Sequence, residues 1–295
     1  MPLALILSSY VAASRVGGMV QALALAPFGI DPVLAPTTLY GRHPGWGAPG
    51  GAAVEPATFR GVIDAIAAQA GLVMADAIFT GYFASAEQVW IAAETIDRAR
   101  AARRAEDRPL HVIVDPIMGD HDKGGAGGGL YVKEAVAEAI ALDLVSRADV
   151  ITPNLWELNR LTGAHGRARA TDARSAVKLA RELDRPCLVT SVPASNEQTG
   201  ESEIGALYVD RRTSTLAVHR RLEAVPRGTG DLLSALFAAG LIQQRLPHDA
   251  LYRAVQGTAE AVEASVKWRA HELPVTALGQ RLVRPTAAVR IETLS

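Results

Sequence analysis

The sequence predicts a three-layer α/β fold, with a central and mostly parallel sheet, helices on both faces and an antiparallel edge. Short apolar runs alternate repeatedly with segments of helical period, which implies parallel strands joined by right-handed crossovers. Two late runs, 204–209 and 213–219, alternate apolar and polar residues, as an antiparallel pair at a sheet edge does. The 295 residues are 49% hydrophobic and 21% charged, enough for one large core. Neither an internal repeat nor a linker divides the chain, so residues 1–295 read as a single domain.

Residues 3–7 form a first apolar strand ending in Ser8-Ser9, and 16–26 a helix opened by Gly17 and Gly18. The second strand is 32–36. Residues 37–55 are rich in Thr, Gly, Pro and His without helical period. They are too long for an ordinary connection and read either as a lid and substrate-contacting loop or as a plain surface loop. Phe59, Val62, Ile63 and Ile66 recur at helical spacing within 56–71, and 75–80 is a strand. The next helix begins at Ser85, with Glu87 in its first turn, and runs to about Arg104. Its basic end is a solvated helix C-terminus, since no aromatic residues are interleaved as a nucleic-acid surface would need.

Residues 111–115 form a strand ending in Asp115, and Pro116 to Asp120 turn away from it. Strand C-termini of open α/β sheets are where ligands bind, which sets a functional reading of Asp115 beside that of a turn aspartate before proline. The glycine loop 121–129 fails as a calcium loop, because Gly124 fills the fifth ligand position and Tyr131 the twelfth. A helix over 132–146 leads to a strand at 149–152, and Thr152-Pro153-Asn154 opens a helix that reaches Leu161. Then come a helix at 172–184, a strand at 186–190, an exposed polar loop at 193–202 and the antiparallel pair. A buried helix over 232–241, a long helix over 249–271 and a tail with Pro274 and Pro285 complete the chain.

A net charge of −1 gives no general attraction to nucleic acid or acidic membranes, so the expected substrate is small. Cys187 is the only cysteine, which excludes an intramolecular disulfide and a thiolate metal site. The start is apolar without a basic region and no run reaches the ~18 apolar residues of a membrane helix, so a cytoplasmic protein is expected. No G-x-G-x-x-G follows the first strand, there is no G-x-x-x-x-G-K-[ST], and the seven histidines show no zinc spacing.

The chemistry centres on Gly228-Thr229-Gly230-Asp231, which opens the buried helix. The glycines permit a tight turn, and the first-turn N–H groups with the helix dipole favour an anion. Asp231 reads either as a helix cap or as a general base beside an anion hole.

Taken together and in order, Ser9, Val16-Gly17, His43, Thr80-Gly81-Tyr82, Asp115 to Asp120, Tyr131-Val132, Thr152 to Glu157, Val189-Thr190-Ser191 and Gly228 to Asp231 resemble the pyridoxal kinase branch of the ribokinase-like superfamily. The resemblance covers nearly the whole chain. It implies ATP-dependent phosphorylation of the 5′-hydroxymethyl group of a B6 vitamer. On it, Asp231 is the catalytic base, and Gly228, Thr229 and Gly230 form the anion hole with it. Ser9, Val16, His43 and Tyr82 contact the vitamer. Asp115, Asn154, Glu157, Thr190 and Ser191, with Gly228 and Gly230, serve ATP, while Asp115, Asp120 and Glu157 order Mg²⁺ and its waters. K⁺ is a further candidate cation, and a homodimer is the expected assembly. The chain departs from the pattern in the lid, where Gly41-Arg42-His43-Pro44 replaces Ser-Asn-His-Thr, and at Tyr10 and Gly18, which replace a histidine and an asparagine. Two alternatives stay open. One is a kinase of hydroxymethylpyrimidine or another small hydroxymethyl compound. The other is a non-catalytic vitamer- or nucleotide-binding carrier or regulator. Arg227 suits an acidic substrate or a second phosphate, or is a solvent-exposed side chain.

Overall fold

The structure, a computed structural model, describes residues 1–121, 129–163, 169–195, 200–223 and 225–294. Most of the glycine loop read against the calcium pattern, and the middle of the 193–202 loop, therefore lie outside the described residues.

The strands are β1 (Leu3–Val11), β2 (Asp31–Tyr40), β3 (Gly51–Ala53), β4 (Ala75–Thr80), β5 (His111–Val114), β6 (Gly119–Asp120), β7 (Gly129–Leu130), β8 (Val150–Ile151), β9 (Cys187–Ser195), β10 (Ser202–Val209), β11 (Ser214–Arg220) and β12 (Arg290–Thr293). The helices are α1 (Gly17–Leu25), α2 (Pro56–Ala68), α3 (Gly71–Met74), α4 (Ala86–Ala101), α5 (Glu134–Ala139), α6 (Leu155–Leu161), α7 (Ala173–Glu182), α8 (Thr229–Ile242), α9 (Pro247–Trp268), α10 (Val275–Leu278) and α11 (Gln280–Val283).

One sheet of order β12-β11-β10-β9-β8-β5-β4-β1-β2-β3 runs through the molecule. Its centre, from β2 to β9, is parallel, and β3, β10, β11 and β12 are antiparallel. Central strands are apolar on both faces because helices cover both, and β4 is buried along its whole length. Leu5, Leu7 and Val114 face a core with Phe59, Ile63, Phe83 and Leu158 from α2, α6 and the turn after β4. Ala4, Ile6, Ile113 and Val150 face the other core, built with Val20, Leu236, Phe237 and Leu251 from α1, α8 and α9.

This alternation decides which polar residues meet above the sheet. Two residues past Ile6, Ile113 and Val150, the period of two turns Ser8, Asp115 and Thr152 toward the α8 side. The ladder continues that far, since the Asp115 N–H donates to Thr80 O and the Thr152 N–H to Val114 O.

Several elements differ from expectation. β2 continues to Tyr40 and pairs with β3, so the segment read as an irregular lid is a short β-flap with a 3₁₀ turn at Pro44–Trp46. Its strand residues are diluted by Gly and Pro, which hides the period. The segment after 274, read as a tail, holds α10, α11 and β12, so β12 rather than β10–β11 is the outer strand. Long-range charge pairs hold it there: Arg281 and the Thr286 N–H meet the buried Glu260, and Arg290 meets the buried Glu203. The helix expected at 132–146 is α5 followed by a π-helical turn at Ile140–Leu144 and a 3₁₀ turn at Val145–Arg147. β9 and β10 extend into the segment expected as a polar loop, pairing antiparallel from Ser195 with Ser202 onward.

Candidate active site

The C-terminal ends of the parallel strands converge on the start of α8. Gly228 has φ +91°, and a Cβ there would lie 2.1 Å from the Arg15 carbonyl oxygen, so only glycine permits this turn to press against the β1–α1 connection. No side chain caps α8, which leaves its first-turn N–H groups for an anion. Thr229 is the first helical residue, and a Cβ at Gly230 would meet open space. Asp231 follows. Its Oδ2 accepts from the Gly17 N–H at 2.9 Å, and its Oδ1 is buried without a partner. Gly17 has φ +56°, and a Cβ there would lie 2.2 Å from Ser9 Oγ, so Ser9, Gly17 and Asp231 form one contact group. Val16, the N-cap of α1, joins it by lying 3.3 Å from the Cβ position of Gly228.

Asp115 is 8% exposed, and burial, then the Asp231 charge, then that of Glu157, push its carboxyl well above the usual range. Burial pushes Asp231 up to about 6 against the pull of the Gly17 N–H. Two carboxyls thus share a desolvated space, and a cation or a proton relieves their repulsion. The Ser8 hydroxyl is buried there without a partner, and a hydrogen bond from Thr152 pulls the Asp115 carboxyl partway back down.

A second group lies beside it. Glu157 accepts from the N–H groups of Met118 at 2.9 Å, Gly119 at 3.4 Å and Asn154 at 2.9 Å, yet burial outweighs them and pushes the carboxyl up to about 8. Asn154 caps α6 at the Glu157 N–H, completing a capping box, and its Nδ2 donates to Gly119 O. The Thr190 N–H donates to Pro153 O at 2.8 Å, and Thr190 bridges to Asn154. Ser191 follows at φ +58°, a conformation costing about 1–2 kcal/mol outside glycine. Asp120 accepts from the His121 N–H and adds its charge to those raising Glu157. Among the described residues no three His, Cys, Asp or Glu side chains gather as a metal cage. Of the three acids that the resemblance gives to Mg²⁺, Glu157 has both oxygens engaged by backbone N–H groups, whereas Asp115 and Asp120 do not.

The flap supplies the third group. The Tyr82 carbonyl accepts from Thr37 Oγ1 at 2.6 Å, and burial, then Tyr40, raise its phenol. The His43 N–H donates to Ser14 Oγ at 3.3 Å, and His43 Nδ1 accepts from the Gly45 N–H at 2.9 Å. Burial, then Arg227, lower its pKa against the raising effect of Glu272. With Nδ1 accepting from Gly45, a neutral ring carries its proton on Nε2. Arg42, where the resembled lid carries asparagine, donates to Ala48 O and so holds the flap itself.

Residues singled out from the sequence therefore fall into three adjoining groups. What sequence reasoning missed is the Gly17 N–H as the partner of Asp231, Ser8 as a buried hydroxyl, and the turn of Arg227 onto the flap. Strand parity was the available signal for Ser8; nothing local pointed to the other two. Two surface grooves, of about 560 and 630 Å³, are lined around Trp90 and Arg147 and around Arg181 and Arg211, and share no residue with this site.

Fold and site together define a ribokinase-like α/β protein. The sequence matches the phosphomethylpyrimidine kinase family over residues 50–276. It is 34% identical to a pyridoxine/pyridoxal/pyridoxamine kinase of Bordetella avium, over 92% of this chain and 84% of that protein. It is 26% identical to a pyridoxal kinase of Corynebacterium diphtheriae over 98% of each. The chain belongs to the phosphomethylpyrimidine kinase family, and the two relatives are named as kinases of B6 vitamers. The fold is shared with a pyridoxal kinase from Entamoeba histolytica, at TM-score 0.85, 24% identity and full coverage of both chains. It is shared equally with a pyridoxal kinase from Leishmania donovani solved in complex with ADP and pyridoxamine, again at TM-score 0.85, 24% identity and full coverage of both.

Proposed function

We propose that this protein uses ATP to phosphorylate the 5′-hydroxymethyl group of a B6 vitamer. The observation that carries the reading is Asp231, one oxygen held by the Gly17 N–H and the other buried without a partner beside the uncapped start of α8. The free oxygen takes the proton of the substrate hydroxyl, while the N–H groups of Gly228 to Asp231 hold the phosphoryl group being attacked. Asn154, Thr190 and Ser191 face the remaining phosphates, and Ser9, Val16, His43 and Tyr82 hold the ring. Mg²⁺ suits the donor set, because it keeps most of its waters and needs only one or two carboxylates besides phosphates. Asp115 and Asp120 would hold it, with Glu157 acting by its charge, and it would neutralise the phosphates. K⁺ dependence, a homodimer and a cytoplasmic location complete the proposal.

The test is ATP consumption by purified protein with Mg²⁺ and K⁺, screened against pyridoxal, pyridoxamine, pyridoxine and hydroxymethylpyrimidine, with Asp231→Asn as control. Turnover with a B6 vitamer that the variant loses supports the proposal. Turnover with hydroxymethylpyrimidine alone favours the reading suggested by the family match. Ligand binding without turnover, unchanged in Asp231→Asn, makes the protein a carrier or regulator.

A further inference from the structure

Arg227 is the residue before the anion-hole glycine; it is solvent-exposed, with its guanidinium laid against the flap. Its Nη2 lies 2.9 Å and its Cζ 3.0 Å from the point where a Cβ on Gly45 would stand, and His43 Nδ1 lies 2.9 Å from the same point. The guanidinium thus fills the notch left by the missing Gly45 side chain, beside the imidazole that caps the flap's 3₁₀ turn. Its base is fixed, because Gly228 is wedged against the Arg15 carbonyl. The β1–α1 connection is itself held, the Arg15 N–H donating to Glu272 Oε2 at 2.8 Å, and the foot of the flap is tied beside it, the Ala12 N–H donating to Tyr40 O and the Ala13 N–H to Gly41 O. One planar cation therefore bridges the turn that would hold the transferred phosphoryl group and the flap that would cover the substrate.

We infer that Arg227 is a positioning residue that latches the flap over the site, with the notch at Gly45 as its seat. Gly41 and Pro44, where the resembled lid carries serine and threonine, bring no hydroxyl to this contact. The latch assigns Arg227 a task other than binding an acidic substrate. Its effect on kinetics rests on the kinase reading; its effect on the flap does not.

The experiment compares Arg227→Ala, Arg227→Lys, Gly45→Ala and the Arg227→Ala/Gly45→Ala double variant. The first readout, without substrate, is the rate of tryptic cleavage after Arg42 together with the fluorescence of Trp46, which sits half-exposed in the flap. The second is the steady-state split between KM and kcat. Arg227→Ala is expected to speed cleavage and raise the KM for the hydroxymethyl substrate, each about tenfold, with kcat within about threefold. Gly45→Ala fills the seat and gives the same phenotype, while the double variant is no worse than either single one, the signature of one shared interaction. Arg227→Lys keeps the charge but loses the planar fork, so it restores only part of the protection. Wild-type cleavage and KM in Arg227→Ala, or effects that multiply in the double variant, would overturn the latch. Absence of turnover in the wild type would sink the kinase reading and leave cleavage and fluorescence to decide the latch.

Discussion

The Gly17 N–H donates to Asp231 Oδ2 at 2.9 Å, across 214 positions of sequence, and leaves Asp231 Oδ1 buried and unpartnered. The start of α1 thereby orients the acid at the start of α8. A carboxyl held at one oxygen and bare at the other is preorganised to accept a proton, and it is a costly arrangement in the absence of a ligand.

That cost makes Asp231→Asn informative. Turnover should fall by about 10³-fold or more, the usual worth of a general base together with its charge, while nucleotide affinity by calorimetry changes little. Stability should move the other way. The native carboxyl titrates near 6 against 3.8 when unperturbed, so the folded state binds more protons between those values and loses stability as pH rises through them. Above pH 6 the deficit is about 2–3 kcal/mol. The variant should therefore melt several degrees higher than wild type at pH 8 and about equally at pH 4.

The same ionisation sets the acid limb of activity. Asp231 must be ionised to accept a proton, so kcat/KM should fall about tenfold per pH unit below pH 6 and level off above it. A profile flat down to pH 5 would remove Asp231 from the proton-transfer step.

Gly17→Ala tests the orientation of the acid. The new Cβ meets Ser9 Oγ at 2.2 Å in a left-handed backbone, so both the N–H and Ser9 must shift. We expect kcat/KM to drop about 100-fold, as for a misplacement of about an ångström. Gly29→Ala is the matched control, with φ +72° and nothing within 4 Å of its Cβ. It should cost about 1 kcal/mol in urea unfolding and leave activity intact.

Ser8→Ala separates function from stability. The Ser8 hydroxyl is buried without a partner, 3.4 Å from the Cβ position of Gly17, and such a group costs about 1–3 kcal/mol. Removing it at nearly constant shape should raise the urea midpoint and lower kcat/KM or nucleotide affinity. Loss of stability instead would mean that the hydroxyl serves the fold.

Much of the architecture was legible because it is written locally. The strand at 75–80 and the helix starts at Ser85, at Asp172 and at the Thr152-Pro153-Asn154 turn each depend on residues close in sequence, and the last two prove to be capping boxes. β3 and β12 were not legible. They are short edge strands with few apolar residues, and they exist because Thr38–Tyr40 and Thr215–Val218 offer open edges to them.

By itself the sequence determined the layered α/β class, the glycine turn before a buried helix and the acids at strand ends, because periodicity, capping and turn chemistry act over a few residues. Only the tertiary structure decided which groups meet. It brought Gly17 to Asp231, the Asp231 charge to Asp115, Glu157 to the 118–119 turn and Arg227 to Gly45. Those meetings follow from strand order and from the close approach of backbones at glycines, which depend on how the whole chain packs.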